Sequence, residues 1–360
     1  NPERRLSKFI IDYTGITQTE VDGAPLFADV LPNLATFIGP AALVGHNIKF
    51  DPDFLAAGGL HFSNPTSDTW DLAFVLRPDA TSYKLANIAA DLGLVHDRPH
   101  RATDDATITA KVFFELIKIA EGLELDLLTE IERASSRSRS MLSYVVSSLA
   151  QNRISTIQTG ESHPSIGFDI SSIRSRIQRL PGIRPSGATK PVDVEAVNRI
   201  LGEHGSLSSS MPNFEYRPEQ VAMARAVSEA LNAPATGGNG RLIVEAGTGV
   251  GKSLAYLLPA VLYALNNDAK VVVSTNTINL QEQLLNKDLP VLLQALESAR
   301  EEGLQVEDLR ATQLKGRSNY LCLNKLLRLR ANDFQSEPDA RMLSKLLVWL
   351  RSTATGDRAE

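Results

Sequence analysis

Between Arg241 and Ser253 the chain reads RLIVEAGTGVGKS, and no other stretch narrows the choice of fold as much. Leu242, Ile243 and Val244 form a short apolar run with the composition of a buried strand. Ala246, Gly247, Thr248, Gly249, Val250 and Gly251 follow as a glycine-rich turn. Lys252 and Ser253 then open LAYLLPAVLYAL, an amphipathic helix. Strand, glycine turn and helix in that order make a phosphate cradle: glycines let backbone N–H groups approach closely, at a helix end that carries partial positive charge. In that arrangement Lys252 reaches the β- and γ-phosphates of a nucleoside triphosphate, and the Ser253 hydroxyl holds Mg²⁺. The strict pattern begins with glycine where this chain has Ala246, at a position that requires only a small residue. A glycine-rich strand-to-helix turn with a chance GKS is the plain alternative.

Downstream, Lys270–Thr275 (KVVVST) predicts a second strand, and with the helix between them the two strands predict a β-α-β unit in a parallel sheet. Upstream, Pro218 suits the first turn of a helix, and Gln220 beside it offers an amide able to read adenine or simply to cap. Thr275, Thr277 and Gln281 stand where hydroxyls and an amide can meet a nucleic-acid backbone, although Thr275 and Thr277 serve equally well as helix caps. The order YRPEQ, EAGTGVGKS, VVVSTNTINLQEQL, LKGRSNYLC resembles the DinG/XPD-type superfamily 2 DNA helicases over about the last 150 residues. That resemblance implies a RecA-like motor that moves on single-stranded DNA with ATP. It also implies a Walker B acid pair and a second lobe, neither of which occurs before Glu360. Cys322 stands where many such helicases place the first of four iron–sulfur cysteines. With one cysteine in the chain, Cys322 is expected as a small buried hydrophobe, and a 4Fe–4S cluster needs thiolates from elsewhere.

The first 120 residues predict a second α/β unit. Phe9-Ile10-Ile11 reads as the end of a strand before the turn Thr14–Thr17, Ala28–Ile38 as a helix, and Ala41–Val44 as a brief strand. Tyr83–Leu92 and Asp104–Ile119 read as further helices. GHNIKFD puts Asp51 near a helix start, and HRATDD puts His100 five residues before Asp105, again at a helix start. Each aspartate taken singly suits a helix cap.

Together, HN-x-x-F-D at His46–Asp51 and H-x-A-x-x-D at His100–Asp105 resemble the DnaQ-like, DEDDh-type 3′–5′ exonucleases. The resemblance implies two divalent ions, Mg²⁺ or Mn²⁺, with Asp51 and Asp105 as ligands and His100 as general base. Asn47 and Phe50 are expected to shape the site, Asp104 to be solvated, and His46 to be a hydrogen-bonded turn residue. The family's D-x-E-T block, source of the other two carboxylates, is expected upstream. Ile11-Asp12-Tyr13-Thr14 lacks its Glu.

The middle is less telling. Gly122–Ala134, Met141–Ala150 and Val192–Leu201 predict helices, and Ser206–Pro212 a boundary. The stretch containing Arg174, Arg176, Arg179, Arg184 and Lys190 has no acidic residue and reads as a solvated linker or a DNA-backbone contact.

The expected organisation is therefore α/β throughout. Residues 1–122 form an RNase H-like, DnaQ-like exonuclease domain truncated at its N-terminus, 123–211 a helical and basic linker, and 212–360 a P-loop, RecA-like helicase lobe truncated at its C-terminus. The start at Asn1 rather than Met, and the end at TGDRAE, read as a fragment. A net charge of −5 argues against a generally basic coat while leaving room for a local basic cleft. One cysteine excludes an internal disulfide framework and suits a reducing cytoplasm. No apolar run reaches the ~18 residues of a membrane span. The function expected is an ATP-dependent DNA helicase fused to a 3′–5′ exonuclease, in repair or replication, with single-stranded DNA or free 3′ ends as partners. An exonuclease that ATP regulates without unwinding and a non-enzymatic DNA or partner scaffold are the competing readings.

Overall fold

The computed structural model describes residues 1–96, 99–135, 141–157, 182–183, 189–211, 214–299, 306–331 and 336–360. Arg174, Arg176, Arg179 and Arg184 of the basic stretch, and Pro212 of the expected boundary, lie outside them. The chain is helix-rich α/β and divides into two compact units: Asn1–Gln178 with Ser318–Glu360, and Arg179–Arg317.

In the first unit, β1 (Leu43–Gly45) and β2 (Thr66–Asp68) form a parallel pair that sets Gly45 opposite Asp68. Helix Thr69–Leu76 leaves β2 at once and buries Leu72, Ala73, Val75 and Leu76. Helix Ala102–Glu121 buries Ile108, Val112, Leu116 and Ala120, the i, i+4 spacing of one face. Helices Leu125–Ser135 and Glu337–Trp349 complete this core with Leu128, Ile131, Leu343 and Leu347. Residues from the far end of the sequence therefore close the core of the N-terminal unit.

Phe9-Ile10-Ile11 is helical, not the end of a strand. Ser7 caps helix Lys8–Thr14 by accepting from the Ile10 N–H, and Gly15 ends it in the left-handed region at φ 66°. The two ends decide what a short apolar run leaves ambiguous.

The second unit packs helices Pro218–Asn232 and Lys252–Asn267 against Val194–Leu201 and Leu289–Ala299, around Leu201, Leu258, Leu262 and Leu292. The expected strands at Leu242–Val244 and Lys270–Thr275 carry no ladder among the described residues, and Ile243 and Val272 are 99% and 89% exposed. An extended apolar segment becomes a strand only when a neighbour supplies its hydrogen bonds. Ser206–Ser210, expected as a boundary, is a short helix with Leu207 buried.

Candidate functional site

The Asp51 segment is built on the end of the β1–β2 pair. Beyond Gly45 the chain turns through Asn47, whose φ of 59° is left-handed, into helix Phe50–Ala57. Asp68, at the matching end of β2, accepts from the N–H groups of Asn47 (2.9 Å), Ile48 (3.1 Å) and Trp70 (2.8 Å). His46 is held at both ring nitrogens, Nδ1 against the Thr69 hydroxyl at 2.9 Å and Nε2 against the Tyr83 carbonyl at 3.0 Å. It is the hydrogen-bonded turn residue that its position suggested. Burial depresses its pKa more than Asp68 and the Tyr83 carbonyl raise it. Asp51 lies in the first helical turn with its pKa raised, by burial first and the nearby Asp68 charge after that.

Asp105 occupies the first turn of helix Ala102–Glu121. Its Oδ1 accepts from the His100 N–H at 3.2 Å. The exposed His100 ring stacks on Tyr13 with centroids 3.9 Å apart, and His100 has a φ of 70°. Arg101 donates to the Gly15 carbonyl at 2.9 Å, which ties the Thr14–Thr17 turn to the same helix start. The His96 imidazole also approaches Asp105, its Nε2 2.9 Å from Oδ1 in a contact without hydrogen-bond alignment. Asp104, expected to be solvated, is half-buried.

The sequence alone does not single out Asp68, His96 and Thr69, and it offers Tyr83 only as the start of a helix. Asp-Thr before an apolar run is a helix-start signal that marks Asp68, whereas nothing local points His96 at Asp105. Among the described residues no group of three or more His, Cys, Asp or Glu side chains converges as a metal site.

In the second unit Gly251 caps helix Lys252–Asn267 at φ 80°. A Cβ there would stand 2.0 Å from Gln220 Nε2, so both the backbone and the neighbour require glycine. Gln220 is buried and donates one N–H to the Gly251 carbonyl at 2.9 Å, which ties it to the loop. Lys252 Nζ donates to the carbonyls of Ala246 (3.0 Å) and Gly247 (2.6 Å), so the ammonium is already held over the loop. Gly247, Thr248 and Gly249 are exposed, and Val250 and Ser253 half-exposed.

Thr277 caps helix Ile278–Gln283 by accepting from the Leu280 N–H, and Thr275 donates to the Thr277 carbonyl at 3.1 Å. Gln281 pairs with Gln313 at 3.2 Å. Cys322, expected buried, is exposed just before helix Leu323–Ala331; of the helix itself only Leu326 is buried.

Among known proteins, a family described as Exonuclease matches residues 1–113, and one described as DEAD/DEAH box helicase matches 224–314. The chain is 30% identical over 365 residues to the 3′-5′ exonuclease DinG of Bacillus subtilis (strain 168), an alignment covering 100% of this chain and 37% of that protein. The 3′-5′ exonuclease DinG of Staphylococcus epidermidis is 27% identical over 98% of this chain and 36% of its own length. That of Staphylococcus aureus (strain USA300) is 26% identical over 98% and 37%. The chain spans little more than a third of the length of these curated relatives. No solved structure matches it.

Proposed function

We propose, from the premise that this chain has the exonuclease-then-helicase organisation of a DinG-type fusion, that it contributes the nuclease and the ATP-binding part of a DNA-processing enzyme. The observation that carries this reading is the presence of both matched segments in one chain, each over its own constellation: Asp51, His100 and Asp105 in residues 1–113, and Lys252 and Ser253 in 224–314.

The nuclease reaction is hydrolysis of the terminal phosphodiester at a free 3′ end. Exonuclease and helicase domains of these kinds use a divalent metal and ATP. For the nuclease, Mg²⁺ or Mn²⁺ would be held by carboxylates and, when bound, would acidify the attacking water and stabilise the leaving 3′ oxygen. Asp51 and Asp105 are the ligands this chain offers, and His100, exposed at the helix start, takes the proton from water. Asp105, accepting from the His100 N–H, fixes the backbone that carries that ring.

The motor binds ATP with Ala246–Ser253, with Lys252 exchanging its two carbonyl partners for phosphate oxygens. Thr275, Thr277 and Gln281 face single-stranded DNA along its backbone. Cys322 would be one of four thiolates of an iron–sulfur cluster whose other ligands this chain does not contain. By sequence the working division is nuclease 1–122, linker 123–211 and motor 212–360, while by packing Ser318–Glu360 belongs with the nuclease unit. No helix among the described residues is long and apolar enough to cross a membrane, and a cytoplasmic site of action suits DNA processing.

The test is an assay of the intact protein on 3′-recessed and single-stranded oligonucleotides with Mg²⁺ or Mn²⁺, alongside ATP hydrolysis with and without single-stranded DNA. Shortening from the 3′ end, and DNA-stimulated ATP turnover, are the expected results. Absence of both overturns the reading.

A further inference from the structure

We propose that Asp68 is a positioning residue for the nuclease: it holds the Asn47–Ile48 turn from which Asp51 enters the site. This role rests on the exonuclease reading of Asp51.

The geometry divides the work of its two carboxylate oxygens. Oδ1 accepts from Asn47 and Trp70, and Oδ2 from Ile48. The Trp70 bond is the ordinary cap of helix Thr69–Leu76. The other two reach 20 and 21 residues back along the chain to the outward-facing N–H groups of a turn whose own bonds, Phe50 N–H to the Asn47 carbonyl and Asp51 N–H to the Ile48 carbonyl, lead into the Asp51 helix. Asn47 is left-handed there, a conformation that asparagine adopts more readily than other non-glycine residues and that external hydrogen bonds hold in place. A carboxylate accepting N–H groups supplies such fixation, because charge-assisted hydrogen bonds are roughly twice as strong as neutral ones.

The same place is clamped from other directions. The Thr69 hydroxyl donates to the Gly45 carbonyl at 3.2 Å and meets His46, and a Cβ on Gly45 would lie 2.3 Å from the Ile48 side chain. These contacts tie the strand end to the turn that opens the Asp51 helix, and Asp68 is the carboxylate among them. Its charge also reaches the Asp51 carboxyl, so it adds negative potential where a cation is to bind.

A cap alone and a positioning residue differ in which backbone they hold. Amide hydrogen exchange of the intact protein separates them in peptides spanning 45–51 and 69–76, for wild type, Asp68→Asn and Asp68→Ala. Positioning predicts that Asp68→Ala speeds exchange in 45–51 by about tenfold or more. Asp68→Asn, which retains one acceptor oxygen, should show a smaller rise. Acceleration confined to 69–76, or none, overturns the proposal. If Asp68→Ala does not fold, Asp68→Asn decides on the same peptides. This readout does not depend on nuclease activity.

The second readout is the Mn²⁺ concentration giving half-maximal 3′-end digestion. It should rise about 10- to 100-fold in Asp68→Ala, the usual cost of losing an outer-shell partner, while ATP hydrolysis is unchanged. An unchanged midpoint with accelerated 45–51 exchange contradicts the link to Asp51. Absence of any metal-dependent digestion in wild type overturns the exonuclease reading instead, and the exchange result still decides whether Asp68 holds the turn.

Discussion

Arg341 and Asp71, 270 residues apart in sequence, form an ion pair inside the N-terminal unit. The Arg341 guanidinium also lies over the Trp70 ring at 5.1 Å, and Lys345 one turn on donates to the Tyr83 hydroxyl at 2.8 Å. Asp71 and Trp70 belong to the helix that Asp68 caps, and Tyr83 supplies the carbonyl that holds His46. Helix Glu337–Trp349, which follows the helicase-like match in sequence, is thus fastened to the elements that shape the Asp51 site.

Arg341→Ala should therefore destabilise the N-terminal unit by about 1–3 kcal/mol, between the values for exposed and fully buried pairs. The loss should depend on pH. Burial raises the Asp71 pKa and Arg341 opposes that rise, so removing Arg341 raises it further. A carboxyl whose folded pKa is raised favours folding when protonated and disfavours it as pH climbs through that pKa. Denaturant titrations should show a larger deficit at pH 7.5 than at pH 4.5. An equal deficit at both would mean that the variant loses packing alone.

His46 gives the opposite sign. Its folded pKa is depressed by burial, so the stability of this unit is present above the unfolded value, about 6.5, and is lost as pH falls below it. Melting temperatures between pH 7.5 and 5 should fall less steeply in His46→Gln than in wild type, although the variant starts lower for want of the second ring contact. Parallel curves would remove His46 from the account.

Local backbone demands are more legible in the sequence than strand pairing is. Gly249 and Gly251 adopt the positive φ that a glycine-rich loop implies, and that requirement is local. The site helices also emerged near their expected bounds, because Val112, Leu116 and Ala120 repeat on one face. Leu242–Val244 and Lys270–Thr275 do not form strands because apolar composition says nothing about whether a neighbouring strand is present to bond with. Phe9–Ile11 was misread because Ser7 and Gly15, rather than the apolar run, fix that segment as helix. Asp68 and His96 escaped notice for another reason: their importance arises from pairings that only folding creates.

Gly251→Ala and Gly247→Ala should behave differently. At Gly251 a methyl group meets Gln220 and a φ of 80°, so the substitution should lower nucleotide-free stability by about 1–2 kcal/mol and weaken ATP binding. At Gly247 a Cβ meets nothing within 4 Å, so nucleotide-free stability should be preserved. Thermal denaturation without ATP distinguishes the two sites, and equal melting temperatures would contradict the close approach of Gln220.

The central claim is that one chain carries two separable chemistries. The most direct measurement compares Asp105→Asn and Lys252→Ala with wild type in the intact protein, scoring 3′-end digestion and DNA-stimulated ATP hydrolysis on the same preparations. Asp105→Asn should lose digestion and keep ATP turnover. Lys252→Ala should lose ATP turnover by at least about a hundredfold, as for other phosphate-stabilising groups, and retain digestion without ATP. Loss of both activities in either variant, or of neither in both, would contradict the account.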